Sequence, residues 1–156
     1  MIQRVQSLYF FMASLSMGIL TASPLYSTEA GGKKFTVFVG GLLQSIEGKE
    51  EVINPQPAIF AVNMLLAFMP IVAVFLFKSR KLQLRISSSA MLSFTAFVIL
   101  LAAVINENIK LIEGYTGEGS YSWGLSLPFV AVIFLFLGSR AIRKDENLIR
   151  SVDRLR

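Results

Sequence analysis

The side chains of this sequence best equipped for chemistry are carboxylates and lysines. Glu47, Glu50 and Glu51 form the densest acidic group, and Glu107, Glu113 and Glu118 form a second one further along. If the two groups converged, their oxygens would suit a hard cation, although loop carboxylates are ordinarily just solvated. Gly31-Gly32-Lys33-Lys34 has the glycines and lysine of a phosphate loop but lacks the preceding strand and the Ser or Thr. The sequence has no G-x-S-x-G, dinucleotide fingerprint or metal-ligand cluster. It also contains no histidine and no cysteine, which removes the usual general base, the thiolate nucleophile and the commonest metal ligands. On this reading the chain has no catalytic residues, no cofactor and no metal, and it is not an enzyme.

The elements that carry these groups follow from hydropathy. Of 156 residues 54% are hydrophobic and only 16% charged, too much apolar surface for a soluble domain of this size to hide. Spanning about 30 Å of hydrocarbon takes roughly 20 apolar residues, and a mid-span charge costs about 2.5–3.5 kcal/mol on insertion scales. Four charge-free windows meet that length, 5–28, 52–77, 86–106 and 119–139, and place helices at 5–26, 57–77, 86–105 and 123–142. Core helices of a soluble bundle would show polar residues every third or fourth position, and 65–77 and 127–137 show none. Arg4, the apolar run 8–20 and Thr21-Ala22-Ser23 loosely fit a cleaved signal peptide. A retained helix is expected instead, because three remaining spans would put the termini on opposite sides.

Basic residues set the orientation. Arg4, Lys78, Arg80, Lys81, Arg85, Arg140, Arg143, Lys144, Arg150, Arg154 and Arg156 fall on one side, against Lys33, Lys34, Lys49 and Lys110 on the other. Both termini are therefore expected in the cytoplasm, with Tyr26 and Trp123 at the outer boundary. Within the spans, Ser14, Gly18 and Ala22 make a small-residue stripe, and Ser89 and Ser93 share a face. These stripes are read as the seam of the bundle, with a homodimer face as the alternative. Asn63 is the most polar side chain near mid-span and is read as an interhelical hydrogen bonder. Pro70 should kink its helix, while Pro128 sits in a first turn, where proline costs little. No span carries Asp, Glu, Lys, Arg or His, which disfavours ion-coupled transport.

The outer loops are 27–56 and 106–122. Residues 34–39 are β-branched and aromatic, punctuated by Gly31-Gly32 and Gly40-Gly41, and 42–46, 51–53 and 109–112 are candidate partners. The expectation is a sheet of two to four strands that ties the outer loops together, or that binds a partner by strand addition. Gly114, Gly117 and Gly119 suggest a flexible link to the fourth span. The fold class on this reading is an all-α membrane protein, one four-transmembrane-helix bundle over 1–156 with a small extracytoplasmic β-hairpin or sheet in the first outer loop. The basic tail 139–156 continues the last helix past the lipid, supported by the Glu146→Arg150 pair. Its roles are anchoring on anionic headgroups or gripping a partner, and nucleic acid is not expected.

Two stretches are specific enough to compare with a family. Met1-Ile2-Gln3-Arg4-Val5-Gln6-Ser7-Leu8-Tyr9 and the run Arg140-Ala141-Ile142-Arg143-Lys144-Asp145-Glu146-Asn147-Leu148-Ile149-Arg150-Ser151-Val152-Asp153-Arg154-Leu155-Arg156 resemble domain-of-unknown-function family 4293 of the Bacteroidetes. That resemblance implies four spans in a bacterial inner membrane, a basic C-terminal motif and no assigned activity. It directs attention to the two cytoplasmic ends, where Arg4, Arg143, Lys144, Asp145, Glu146, Arg150, Asp153 and Arg154 form the candidate surface for a partner or lipid. The leading reading is a scaffold or accessory subunit that holds a protein partner or its own oligomer in the inner membrane. A small channel or transporter using Asn63, the Pro70 kink and the run 87–89 is the alternative.

Overall fold

The computed structural model describes residues 3–46, 49–76, 79–112, 114–115 and 117–153, and for residues 3, 4 and 148–153 the backbone alone. Glu47, Phe77, Lys78, Glu113, Arg154 and Arg156 lie outside the described residues.

In chain order the elements are α1 (Gln3–Leu20), β1 (Tyr26–Ala30), β2 (Lys33–Phe38), β3 (Gly41–Ile46), β4 (Lys49–Pro55), α2 (Pro57–Phe75), α3 (Arg80–Lys110), β5 (Gly119–Tyr121) and α4 (Leu127–Asp153). A 3-10 turn, Trp123–Ser126, leads into α4. Paired contacts run in opposite directions along α1 and α2, and those of Gln6 with Asp145 and Phe10 with Gly138 do the same for α1 and α4. Ser14 meets Ala67, Asn63 meets Met17, and Ser87 meets Ser139. The helices form a ring in which α1 and α3 each pack on α2 and α4. Both ends of the chain therefore emerge at one end of the bundle, and the sheet sits at the other.

The all-α expectation is overturned. Alongside four helices the chain builds a five-stranded antiparallel sheet in the order β4-β3-β2-β1-β5. Hydropathy alone carried the first helix to Tyr26. The helix stops at Leu20 because Pro24 offers no amide, and the residue before a proline avoids the helical region. Tyr26 then opens a strand whose alternate residues Tyr26, Thr28 and Ala30 are buried. Gly31 and Gly32, at φ +58° and +74°, make the two-residue turn that matches the twist of a hairpin.

The second outer loop also differs from expectation. Residues 109–112 do not form a strand. The apolar repeat Leu101, Val104, Ile105 and Ile112 continues the buried face of α3, and no glycine or proline intervenes, so the helix runs to Lys110. The loop contributes β5 instead, in the stretch read as flexible. At its other end α3 begins at Arg80 rather than 86, since charges limit the hydrocarbon-embedded length of a helix and not the helix itself.

Three helical stretches are long and apolar enough to cross a membrane, Pro57–Phe75, Arg80–Lys110 and Trp123–Asn147. The fourth helix, α1, is shorter, 18 residues or about 27 Å at 1.5 Å per residue.

One buried cluster runs from the helices into the sheet. Phe10, Met17, Phe94, Leu101 and Leu135 join Leu25, Val37, Val39 and Leu42. Asn54 Nδ2 of β4 donates to Asn108 Oδ1 of α3 at 3.0 Å. The Tyr26 and Tyr115 hydroxyls lie 2.8 Å apart, and the Tyr26 and Tyr121 rings meet edge to face. Tyr26 is thus an interior group and not a boundary anchor, while Tyr121 and Trp123 are exposed.

Burial first, then the hydrogen bond and the nearby charge of Tyr115, push the Tyr26 phenol from 10.0 up to about 12. Folding therefore favours the neutral phenol. This contribution is whole below pH 10.0 and is lost as pH rises towards about 12. Alkaline titration followed by tyrosinate absorbance should show sheet melting in that window, and Tyr26→Phe should flatten it. An identical profile for the variant would refute the assignment.

Candidate functional site

The polar side chains singled out in the spans serve the seams between helices. The last four carbonyls of any helix lack partners within it, and in α1 these belong to Met17, Gly18, Ile19 and Leu20. The amides of Thr21, Ala22 and Ser23 close back on Gly18, Ile19 and Leu20 at 3.2, 3.1 and 3.1 Å. The Met17 carbonyl accepts Asn63 Nδ2 of α2 at 3.2 Å, and the same nitrogen donates to Thr21 Oγ1 at 3.0 Å. Asn63 is fully buried, and its Oδ1 has no hydrogen-bond partner. It caps α1 from the neighbouring helix.

Pro70 lies inside α2 and is buried. Its missing amide leaves the Leu66 carbonyl without its helical donor. Ser14 Oγ donates to the next carbonyl, that of Ala67, at 2.6 Å, the kind of support that makes a proline tolerable in a membrane helix.

The other members of the small-residue stripes fall elsewhere. Gly18 and Ala22 are exposed, and a Cβ at Gly18 would meet nothing within 4 Å. Gly18 borders an open apolar pocket of about 260 Å³ with Ser14, Phe11, Leu15, Met64 and Phe68. Ser89 is exposed and bonds back to the Arg85 and Ile86 carbonyls of its own helix. Ser93 is half-buried.

The α3–α4 seam is instead held by Ser87 and Ser139, whose hydroxyls lie 2.7 Å apart, with Ser87 3.4 Å from the Leu135 carbonyl. The α1–α4 seam closes where Gly138 lets the Phe10 ring approach; a Cβ there would come within 3.2 Å of it. Neither Ser139 nor Gly138 was singled out in the sequence, because both stand at the edge of a charge-free window beside Arg140. The one available signal was their small size at adjacent positions.

At the end that carries both termini, Gln6 Nε2 of α1 donates to Asp145 Oδ2 of α4. Gln6 is buried, Asp145 is half-buried, and Asp145 Oδ1 is buried without a partner. Arg140, Arg143 and Lys144 are exposed around this joint, and Glu146 is half-buried. Of the other candidates, Arg4, Arg150 and Asp153 have only their backbone described, and Arg154 lies outside the described residues. The structure thus joins Asp145 to the start of the chain through Gln6, a residue absent from the sequence-derived set. Among the described residues no group of three or more His, Cys, Asp or Glu side chains could hold a metal ion.

Replacing Asn63 with leucine leaves the Met17 carbonyl buried and unpaired. Asn63→Leu should therefore lower stability by about 1–3 kcal/mol while leaving membrane insertion intact, read as a reduced thermal midpoint in detergent. A midpoint equal to the parent's would mean that Asn63 does not cap α1.

No curated protein matches the chain. A family model described as "Domain of unknown function (DUF4293)" matches residues 2–155. The match takes in every helix and strand described above, and the chain belongs to the DUF4293 family.

Proposed function

We propose that this chain is a non-enzymatic, four-pass protein of the bacterial inner membrane, with both termini in the cytoplasm and the sheet on the far side. It acts as a scaffold or accessory subunit that binds a protein partner through its cytoplasmic ends, resting there against anionic lipid. The observation that carries this reading is the Gln6–Asp145 hydrogen bond. It draws the two ends into one surface, flanked by the exposed cations Arg140, Arg143 and Lys144. A fourth crossing by α1 is supported by its outward stripe of Val5, Leu8, Phe11, Leu15 and Ile19, all exposed. With about half of each side chain exposed, such a stripe would cost roughly 1 kcal/mol per side chain in water and nothing among acyl chains. Against the channel alternative, which would use Asn63, the Pro70 kink and the run 87–89, both hydrogens of the Asn63 amide are engaged across the α1–α2 seam.

Truncation after Ser139 would test the docking surface poorly, because it removes Ile142 and Asp145 from packed positions. Reversing the exposed charges with Arg143→Glu and Lys144→Glu leaves the joint in place. The double variant should insert normally and lose its co-purifying protein in gentle detergent. The same protein retained at equal yield would eliminate this surface as the docking site.

A further inference from the structure

Two apolar pockets follow one another along the α1–α2 seam. Gly18 and Met64 line the pocket of about 260 Å³ described above, and one turn further along each helix Ala22 and Phe60 line the next. The second, of about 270 Å³, is completed by Phe38, Leu43 and Val52 of the sheet. Together they form a slot from Phe11 to Ala22, about 17 Å at 1.5 Å per residue. That is close to one leaflet of a hydrocarbon core about 30 Å thick. Its floor is small, at Ser14, Gly18 and Ala67, and its rims Phe11, Leu15 and Phe68 are exposed. A slot between raised rims suits a single chain, whereas a second helix needs a small-residue face that lets backbones approach.

The slot continues onto the sheet. Ser27, Thr36, Leu43 and Val52 are successive cross-strand partners in one row. They lie on the face opposite the buried Tyr26, Thr28, Phe35, Val37 and Leu42. Leu43 and Val52 belong to the apolar pocket, and Ser27 to an open cleft of about 430 Å³ that also holds Glu29, Lys34 and Glu118. Thr36 is the step between them, and Ser27 and Leu43 are two strand spacings apart, roughly 10 Å. An apolar slot thus leads into a cleft that carries one ammonium and two carboxylates.

We propose that this surface holds one phospholipid of the sheet-side leaflet, with an acyl chain in the slot and an ammonium-bearing headgroup in the cleft, its phosphate at Lys34 and its ammonium against Glu29 and Glu118. The inference rests on the crossing by α1 proposed above, which sets the slot among acyl chains. The pocket at Phe38, Leu43 and Val52 lies beyond the end of α1 at Leu20, so the bound lipid stands higher than its neighbours, with its upper methylenes on protein. Each methylene so buried favours the site. The excess of carboxylate selects the headgroup, because an anionic one without an amine meets two like charges and gains no partner for them.

The test is native mass spectrometry of the full chain in detergent, titrated with dioleoyl phosphatidylethanolamine or dioleoyl phosphatidylglycerol. The ethanolamine lipid should bind about fivefold tighter or more. Glu29→Lys combined with Glu118→Lys should abolish or reverse that preference. Gly18→Phe fills the slot from a position where a Cβ meets nothing, so the bundle keeps its packing while binding of both lipids weakens by about fivefold or more. Leu92→Phe, at an exposed position of α3 outside the slot, should change neither. Equal binding of the two lipids by the parent, an unchanged preference in the charge variant, or equal effects of Gly18→Phe and Leu92→Phe would each overturn the proposal. So would a dimer that Gly18→Phe dissolves, which would make the slot a helix interface. Labelling of a Gln3→Cys variant with an impermeant maleimide reports the crossing separately, so lost lipid selectivity with the crossing intact counts against this site alone.

Discussion

The rest of the architecture depends on how the Met17 carbonyl finds a partner. Backbone polar groups that leave water must be satisfied within the protein, and α1 stops at Leu20, well before the chain reaches the sheet. Three of its four terminal carbonyls are closed by the tight turn through Thr21–Ser23, and the fourth by Asn63. That amide, together with the Ser14 hydroxyl on the Ala67 carbonyl, fixes the height of α2 against α1. It thereby fixes where Gln56 and Pro57 begin α2, and where β4 must end. The Gln56 amide bonds the Gly40 carbonyl at 2.8 Å and the Leu25 amide bonds the Val37 carbonyl at 2.8 Å. The sheet is therefore clamped to the top of the same two helices.

The same economy runs through the other seams. Among the described residues, Ser14, Ser87 and Ser139 reach a neighbouring helix with a short hydroxyl, and Asn63 and Gln6 do so with an amide. Lipid offers no hydrophobic drive for helix association, so close packing and such bonds must supply it. Gly138 shows the packing half of that requirement and Ser87 the bonding half. Polar groups committed to seams are poor candidates for transport. Distinctive surface chemistry is left to the two ends of the bundle, the charged surface around Gln6 and Asp145 and the outward face of the sheet.

Legibility in the sequence divided along physical lines. The cores of α2, α3 and α4 were readable because a charge-free apolar run of about 20 residues matches the thickness of a bilayer and little else. The hairpin around Gly31-Gly32 was readable because paired glycines between β-branched runs signal turn geometry. The start of β1 was hidden, since Tyr26 is apolar and extends a hydrophobic count that ignores periodicity, although Pro24 carried the stop signal. The strand Gly119–Tyr121 was hidden because three residues with two small side chains have no pattern, and it exists through pairing with Tyr26–Thr28. At the site, Asp145 was found through a family resemblance and Gln6 was not. A glutamine one turn into an apolar helix is marked as a contact only once its partner, 139 positions away, is brought beside it.

The crossing by α1 is the step on which the placement of both ends depends, and the absence of cysteine from the sequence makes it directly measurable. Single substitutions Gln3→Cys, Lys33→Cys and Lys144→Cys would be exposed to a membrane-impermeant maleimide in intact spheroplasts. Lys33→Cys should label at once, and Gln3→Cys and Lys144→Cys only after the membrane is opened. Labelling of Gln3→Cys from outside, together with Lys33→Cys, would mean that α1 does not cross, and the two ends would no longer share one side.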